Sequence, residues 1–324
     1  RSSLAGIRVS MLKDSLRIGQ QVVGRGTFFI PASPAASDRV GKVVSEKGIK
    51  VVGGDAPPED MLAPLRPVRV ALFDKYGGSI ESGWNRFLLE QFEFPYTLVF
   101  PPDIDAGKLN GNFDVLILPN DAVMGRTSRD RGERGLSEES VARIPAEYRG
   151  RVGVTTVQKT LPRIREFLAS GGTVLAMGNA SVIGIQLGLP IMDALTDSTG
   201  RILPSAQFFV PASVLSVSVD TTDAIALGMR HTSNVVYDNN PAFRLKPGAE
   251  SNGIKRIAWF ESATPLRSGW AWGEQILQGT AEVVSARVGK GRLYLFAPDV
   301  QFRHQSQGTF KFLFNGIYLA PGNN

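Results

Sequence analysis

The chain has 324 residues, 43% hydrophobic and 20% charged, with a formal charge of +6. This is ordinary globular composition, long enough for one large domain or two. No run of about 18 apolar residues could cross a membrane as a helix, no stretch reads as a signal peptide, and the absence of Cys excludes disulfides, thiolate metal sites and a Cys nucleophile without fixing a compartment.

The chain begins at Arg1 rather than Met and reads as a processed or excised piece of something longer. Thr27 to Ile30 reads as a strand, broken by Pro31 to Ala36. Ser37 or Asp38 then caps a helix whose Val40, Val43 and Val44 share one face. Gly48 ends that helix, and Ile49 to Val52 reads as a second strand. Gly53 to Pro67, with two glycines and four prolines, reads as a linker. Residues 1–66 are therefore expected to form a small α/β cap with its linker, and residues 67–324 the main domain.

Val68 to Phe73 is the next predicted strand, and Asp74-Lys75-Tyr76-Gly77-Gly78-Ser79 the loop at its C-terminal end. A helix follows with Trp84, Leu88 and Phe92 in line. Tyr96 to Phe100 and Phe113 to Leu118 read as strands. Asn120 to Gly153 is a long charged insertion; within it Arg126 to Arg151 holds seven arginines among five acids. That mixing of charge points to a solvated loop, since a nucleic-acid surface would want unmixed basic charge or stacking aromatics. Thr160 to Ala169 is a helix with Leu161, Ile164 and Leu168 on one side, stopped by Gly171.

Thr173 to Met177 is a short apolar run bounded by glycines, the signature of a buried strand. Gly178-Asn179-Ala180-Ser181 follows, and Val182 to Leu187 looks helical. A strand that turns sharply through small residues into a helix has the geometry of a nucleophile elbow. The apex here is Gly178, or Asn179 with a register slip of one, and neither can attack a carbonyl. Ser181 reads as a first-turn residue bonding free helix N–H groups, with a substitute nucleophile as the alternative. After Pro190 come strand candidates at Val214 to Val219, Asn234 to Tyr237 and Arg256 to Phe260. Ala281 to Val288 and Arg292 to Phe296 form a hairpin around Gly289-Lys290-Gly291. A last helix carries Phe310, Leu313, Phe314 and Ile317. The pattern predicts an α/β fold: a mostly parallel sheet with helices on both faces, and extra antiparallel strands in the C-terminal half.

Other signals read more plainly. His231 and His304 each lie in a polar stretch and read as exposed or loop-bonded. Gly77-Gly78 reads as a turn, although its place at a strand's C-terminal end is where α/β proteins bind ligands. Asp74, Glu81 and Asp299 could gather there, but solvated loop acids are the simpler reading. Trp270 and Trp272 alternate with Gly269 and Ala271; core or interface packing is the expected use of these rings, with a sugar platform as the alternative.

Two neighbourhoods resemble the class I glutamine amidotransferase-like fold. That family has Leu-Gly-x-Cys-x-Gly at its elbow, where this chain has Leu175-Ala176-Met177-Gly178-Asn179-Ala180. It has Phe-His-Pro-Glu where this chain has Phe296-Ala297-Pro298-Asp299. The resemblance implies the fold and a vestigial site at Gly178, Asn179, Ala297 and Asp299: Gly178 stands for the Cys, Ala297 for the His, and Asp299 keeps a carboxylate.

A resemblance over nearly the whole chain is to the C-terminal region of bacterial zinc carboxypeptidase-like proteins of the carboxypeptidase A type. It rests on Gly26-Thr27-Phe28-Phe29-Ile30-Pro31, on the run from Ser82-Gly83-Trp84 to Phe94-Pro95, on Gly289-Lys290-Gly291-Arg292, and on Gly308 to Asn315. It implies an upstream peptidase domain that holds the zinc, and a secreted or periplasmic location. His231 and His304 do not form His-x-x-Glu, so no zinc or other cofactor is expected in this segment. The expected function is a non-catalytic accessory module that packs against the peptidase domain of the same chain or positions its substrate. The alternatives are a peptide- or glycan-binding pocket at the elbow, lined by Asp74, Tyr76, Gly77, Gly78 and Ser181, and a residual hydrolase or amidotransferase using Ser181 with His231 or His304. No nucleic-acid or membrane partner is expected.

Overall fold

The computed structural model describes residues 6–122 and 136–320. It divides into two compact units, residues 6–67 with Gln91–Phe94, and Val68–Glu90 with residues 95–320. Residues 123–135, inside the insertion expected from Asn120 to Gly153, lie outside the described residues. The described remainder of that insertion is not wholly solvated, since it carries two short helices, Glu138–Ala142 and Ala146–Arg149, and buries Ile144. No helix among the described residues is long and apolar enough to cross a membrane.

The first unit is built on a three-stranded antiparallel sheet of β1 (Val9–Leu12), β4 (Phe28–Phe29) and β5 (Leu62–Leu65), in the order β4-β1-β5, beside a hairpin of β2 (Leu16–Ile18) and β3 (Gln21–Val23). The expected β-α-β unit does not form. Residues 49–52 join no strand, and Val51 is exposed. The third strand comes instead from within the expected linker. Pro64 sits in β5 opposite Ser10, which is tolerated because β5 is an edge strand and its missing N–H leaves no central ladder broken. Helix α1 (Pro34–Lys47) starts earlier than predicted, with Ser33 Oγ accepting the Ala36 N–H at 3.1 Å. Pro34 read as a breaker, but at the first position of a helix its missing N–H has no intrahelical partner to lose.

The second unit carries one twelve-stranded sheet. Its parallel half comprises β6 (Val70–Phe73), β7 (Thr97–Val99), β8 (Val115–Leu118), β9 (Thr173–Met177) and β17 (Gly291–Phe296), in the order β17-β9-β8-β6-β7. Beyond β17 the sheet continues antiparallel through β16 (Ala281–Val288), β14 (Ile254–Trp259), β11 (Ser213–Val219) and β12 (Thr232–Tyr237). Three short strands, β10 (Ile191–Asp193), β13 (Phe243–Leu245) and β15 (Leu266–Ser268), pair off this path. The fold is therefore α/β, a parallel sheet with helices on both faces and added antiparallel strands in its C-terminal half.

The central strand was legible because it is buried on both faces. All five residues of β9 are buried, with Val174 opposite both Leu116 and Leu293. Val174, Ala176, Leu293 and Leu295 share a core with Ile164, Phe167 and Leu168 of the helix Thr160–Ala169. On the other face the helix Phe310–Tyr318 comes so close that a Cβ on Gly316 would lie 2.7 Å from Leu175 Cδ2. Helix α2 (Ile80–Gln91) buries Ser82, Asn85, Leu88 and Leu89. The expected stripe of Trp84, Leu88 and Phe92 is thus rotated: Phe92 is exposed, and two polar residues take the inward positions.

Candidate functional site

Four loops meet the C-terminal edge of the parallel sheet, the edge at which open α/β sheets bind ligands. They follow β6, β8, β9 and β17, and between them they hold every residue of the expected site.

The elbow forms where the sequence puts it. β9 ends at Met177, and Gly178 turns the chain with φ +55°. A 3₁₀ turn over Gly178–Val182 leads into the helix Ile183–Gln186, so the expected helix starts one residue late. A positive φ at the apex is the strained conformation that an elbow imposes on its nucleophile. Glycine adopts it at no steric cost. A side chain at this position has nowhere to go: a Cβ on Gly178 would lie 2.4 Å from Asn120 Oδ1 and 2.6 Å from Asn120 Cγ.

Asn120 was not singled out in the sequence, and it closes the site. It lies two residues beyond the end of β8, the strand beside β9. Its Oδ1 accepts the backbone N–H of Asn179 at 2.6 Å. In an elbow enzyme the N–H of the residue after the nucleophile is an oxyanion-hole donor. Here that donor is engaged by the protein itself. The available signal was positional, an Asn following Pro119 at the end of the neighbouring strand, and it required the strand order.

Ser181 is fully buried, and its Oγ donates to the Gly178 carbonyl at 2.6 Å. It therefore ties the turn to itself; it neither accepts a helix N–H, as expected of a cap, nor hydrogen-bonds an imidazole. His231 is exposed, with Nδ1 at 3.1 Å from the Val219 carbonyl. His304 is half-buried between the rings of Phe87 and Phe310, at 5.0 and 5.2 Å, so it is not the exposed residue that its polar stretch suggested.

The loop after β6 is pinned to the one after β8. Lys75 Nζ pairs with Asp121 Oδ2 at 3.0 Å, and Ser79 Oγ donates to Asp121 Oδ1 at 2.8 Å. Ser79 Oγ also accepts the Ser82 N–H at 3.2 Å, capping α2. Gly77 and Gly78 both take positive φ, and Gly78 N donates to Lys75 O at 2.9 Å, a plain turn. Tyr76 is partly exposed. Asp74 is buried, its Oδ1 accepting the Lys75 N–H at 2.8 Å.

Of the three acids expected to be solvated, Asp74 and Asp299 are buried and Glu81 is half-buried. Asp299 meets Glu81 from the first turn of α2. Burial raises the Asp299 carboxyl well above the usual carboxylate range, and the charge of Glu81 and a hydrogen bond to it push the same way. Desolvation and a neighbouring carboxylate both favour the neutral form of Asp299. Gln301 Nε2 donates to Glu81 Oε2 at 3.4 Å. Among the described residues, Asp299 Oδ1, Gln301 Oε1, Ser82 Oγ and Asn85 Oδ1 are buried without a hydrogen-bond partner. Ala297 is buried, its N–H bonded to the Glu282 carbonyl at 2.8 Å, and it presents no imidazole to the edge.

Of the expected uses of Trp270 and Trp272, core packing fails. They are 60% and 55% exposed, not core.

No family model matches the sequence, and no curated protein matches it. Solved structures similar to the chain include PurLQS from Thermotoga maritima, 14% identical over 77% of this chain and 97% of that one, with a TM-score of 0.44. A glutamine amidotransferase from Thermotoga maritima is 11% identical over 78% of this chain and 86% of that one, also at 0.44. A cytoplasmic protein from Salmonella typhimurium is 10% identical over 78% and 99%, again at 0.44.

Proposed function

We propose that this chain is a non-catalytic accessory module of a zinc carboxypeptidase-like protein, one that supports the peptidase domain preceding it or positions its substrate. The observation that carries the non-catalytic part is the Asn120 side chain over Gly178. It fills the space of a nucleophile and occupies the Asn179 N–H; the motif resemblance adds that Ala297 takes the position of the family's His. The peptidase link is supported by the sequence motifs, above all the run from Gly83-Trp84 to Phe94-Pro95. Zinc, in this reading, belongs to the preceding domain.

The test has two arms. Incubated with glutamine or with activated esters, the chain is expected to give no turnover above buffer. Turnover that S181A abolishes would overturn the non-catalytic reading. The second arm is the upstream reading frame, expected to encode His-x-x-Glu with a later His. A frame that opens at or just before Arg1 would overturn the accessory reading. Where the frame is as expected, deleting this module from the longer protein should lower its thermal midpoint or its kcat/KM.

A second reading, ligand binding at the same sheet edge, is favoured by the unpartnered buried atoms Asp299 Oδ1 and Gln301 Oε1. Buried polar groups are normally paired, and a peptide or glycan donor would pair them. A thermal-shift screen of peptides and cell-wall fragments is expected to find a stabilising ligand whose effect D299N removes.

A further inference from the structure

The segment Gly269 to Gly273 shows two indole rings to solvent, and its backbone is held from both sides. Phe209 and Trp272 exchange both backbone hydrogen bonds, each at 2.9 Å. Residues directly opposite in an antiparallel pair send their side chains to the same face. Trp270 lies two residues earlier, the spacing that places side chains on one face where the chain is extended. All three rings are open, with Phe209 39% exposed.

The display is rigid. Ser213 Oγ accepts the Trp270 N–H at 2.9 Å and lies 2.7 Å from the Trp270 carbonyl, to which it donates. The Trp272 indole Nε1–H donates to the Ala206 carbonyl at 2.8 Å, which fixes its ring. Gly269 and Gly273 bracket the segment at φ +101° and +77°; a Cβ would lie 2.5 Å from Ser213 Oγ at the first and 2.0 Å from the Gln207 carbonyl oxygen at the second. Large side chains on a fixed backbone bind with little loss of conformational freedom.

The size of the patch selects its occupant. At roughly 150–250 Å² per aromatic side chain, three rings exposed to these degrees offer on the order of 300 Å². A stable protein interface takes about 800 Å² from each partner, so the rings are too few to hold a folded partner or a second copy of this chain. Trp270 and Trp272 stand roughly 7 Å apart along extended backbone, of the order of one hexose repeat. A pyranose has a face of C–H groups that packs on an indole, with hydroxyls left at its rim. We propose that Trp270, Trp272 and Phe209 form a platform on which the sugar rings of a glycan stack. The proposal does not depend on the accessory role.

The test titrates the chain with hexasaccharides of β-1,4-linked N-acetylglucosamine, β-1,4-glucan, α-1,4-glucan and β-1,4-mannan, and probes a printed glycan panel. Tryptophan fluorescence is expected to saturate with at least one of them. W270A and W272A should each weaken that binding tenfold or more; W270A should leave the thermal midpoint unchanged, its ring being 60% exposed, while W272A should lower it slightly by giving up the bond to Ala206. Binding that survives both substitutions would overturn the proposal, as would no response on the whole panel at millimolar sugar. Sedimentation run in parallel would overturn it by showing self-association that W270A abolishes, and a proline-rich peptide that binds these rings while no glycan does would also overturn it.

Discussion

Asn120 Oδ1 lies 2.6 Å from the Asn179 amide nitrogen, and the same side chain fills the space over Gly178. One residue thus holds the amide that follows the apex of the turn and fills the space above the apex. G178A is expected to destabilise the chain by more than the ~1–2 kcal/mol that a left-handed conformation costs an L-residue, because the new Cβ also meets Asn120. N120A alone should cost about 1 kcal/mol, the usual worth of a single hydrogen bond. The double variant should be more stable than the sum of the two, with a coupling of roughly 0.5–3 kcal/mol, since N120A clears the space that the alanine needs. Urea unfolding of the four proteins measures this; strict additivity would show that the contact at Gly178 is not made.

The Glu81–Asp299 pair makes stability depend on pH. The folded state holds the Asp299 proton more tightly than the unfolded chain does. Such a group contributes stability that is fully present below the unfolded value of about 4 and is lost as pH rises through the raised folded value. Stability should therefore fall as pH climbs above about 4 toward the Asp299 titration. D299N should flatten that slope and gain most over wild type at the upper end of the window. Thermal midpoints taken at half-unit pH steps for both proteins decide it; identical slopes would show that Asp299 titrates normally.

Leu175 and Gly316 hold the central strand against the last helix. L175A should cost about 2–5 kcal/mol, as truncations of fully buried leucines do. G316A should cost about 1–3 kcal/mol by overpacking, because its Cβ would lie 2.7 Å from Leu175 Cδ2. Combined with L175A, the same alanine enters a space already vacated and should become neutral or stabilising. Denaturant midpoints of the three variants test the contact.

The sequence was most readable where burial is on both faces. β9, β8 and the β16–β17 hairpin are apolar runs between turn signals, and each formed as expected. The first unit was least readable. β5 was hidden by Pro64, whose tolerance depends on β5 lying at a sheet edge, and edge position is not written in a local window. α2 shows a different limit. Phe87 is far more apolar than Ser82 and Asn85, yet Phe87 is exposed and the polar pair is buried. The elbow was legible as a shape because Gly178 and its small neighbours encode the turn. Its closure was not, because Asn120 reaches it only through the strand order. Glu81 and Asp299 were seen as possible neighbours, but the burial of Asp299 was not, because it depends on the packing of α2 against the loop after β17.

The position of β17 bears on how the chain assembles. It pairs parallel with β9 on one side and antiparallel with β16 on the other, so it joins the two halves of the sheet, and it is the last of this sheet's strands in chain order. Until it arrives, the parallel half ends in a bare β9 edge and the antiparallel half in a bare β16 edge. Pairing so distant in sequence is slow to form, and open hydrophobic edges are templates for wrong partners. A nascent chain halted before Gly291 would therefore carry two incomplete sheets, and a chain released there should aggregate where the full one folds.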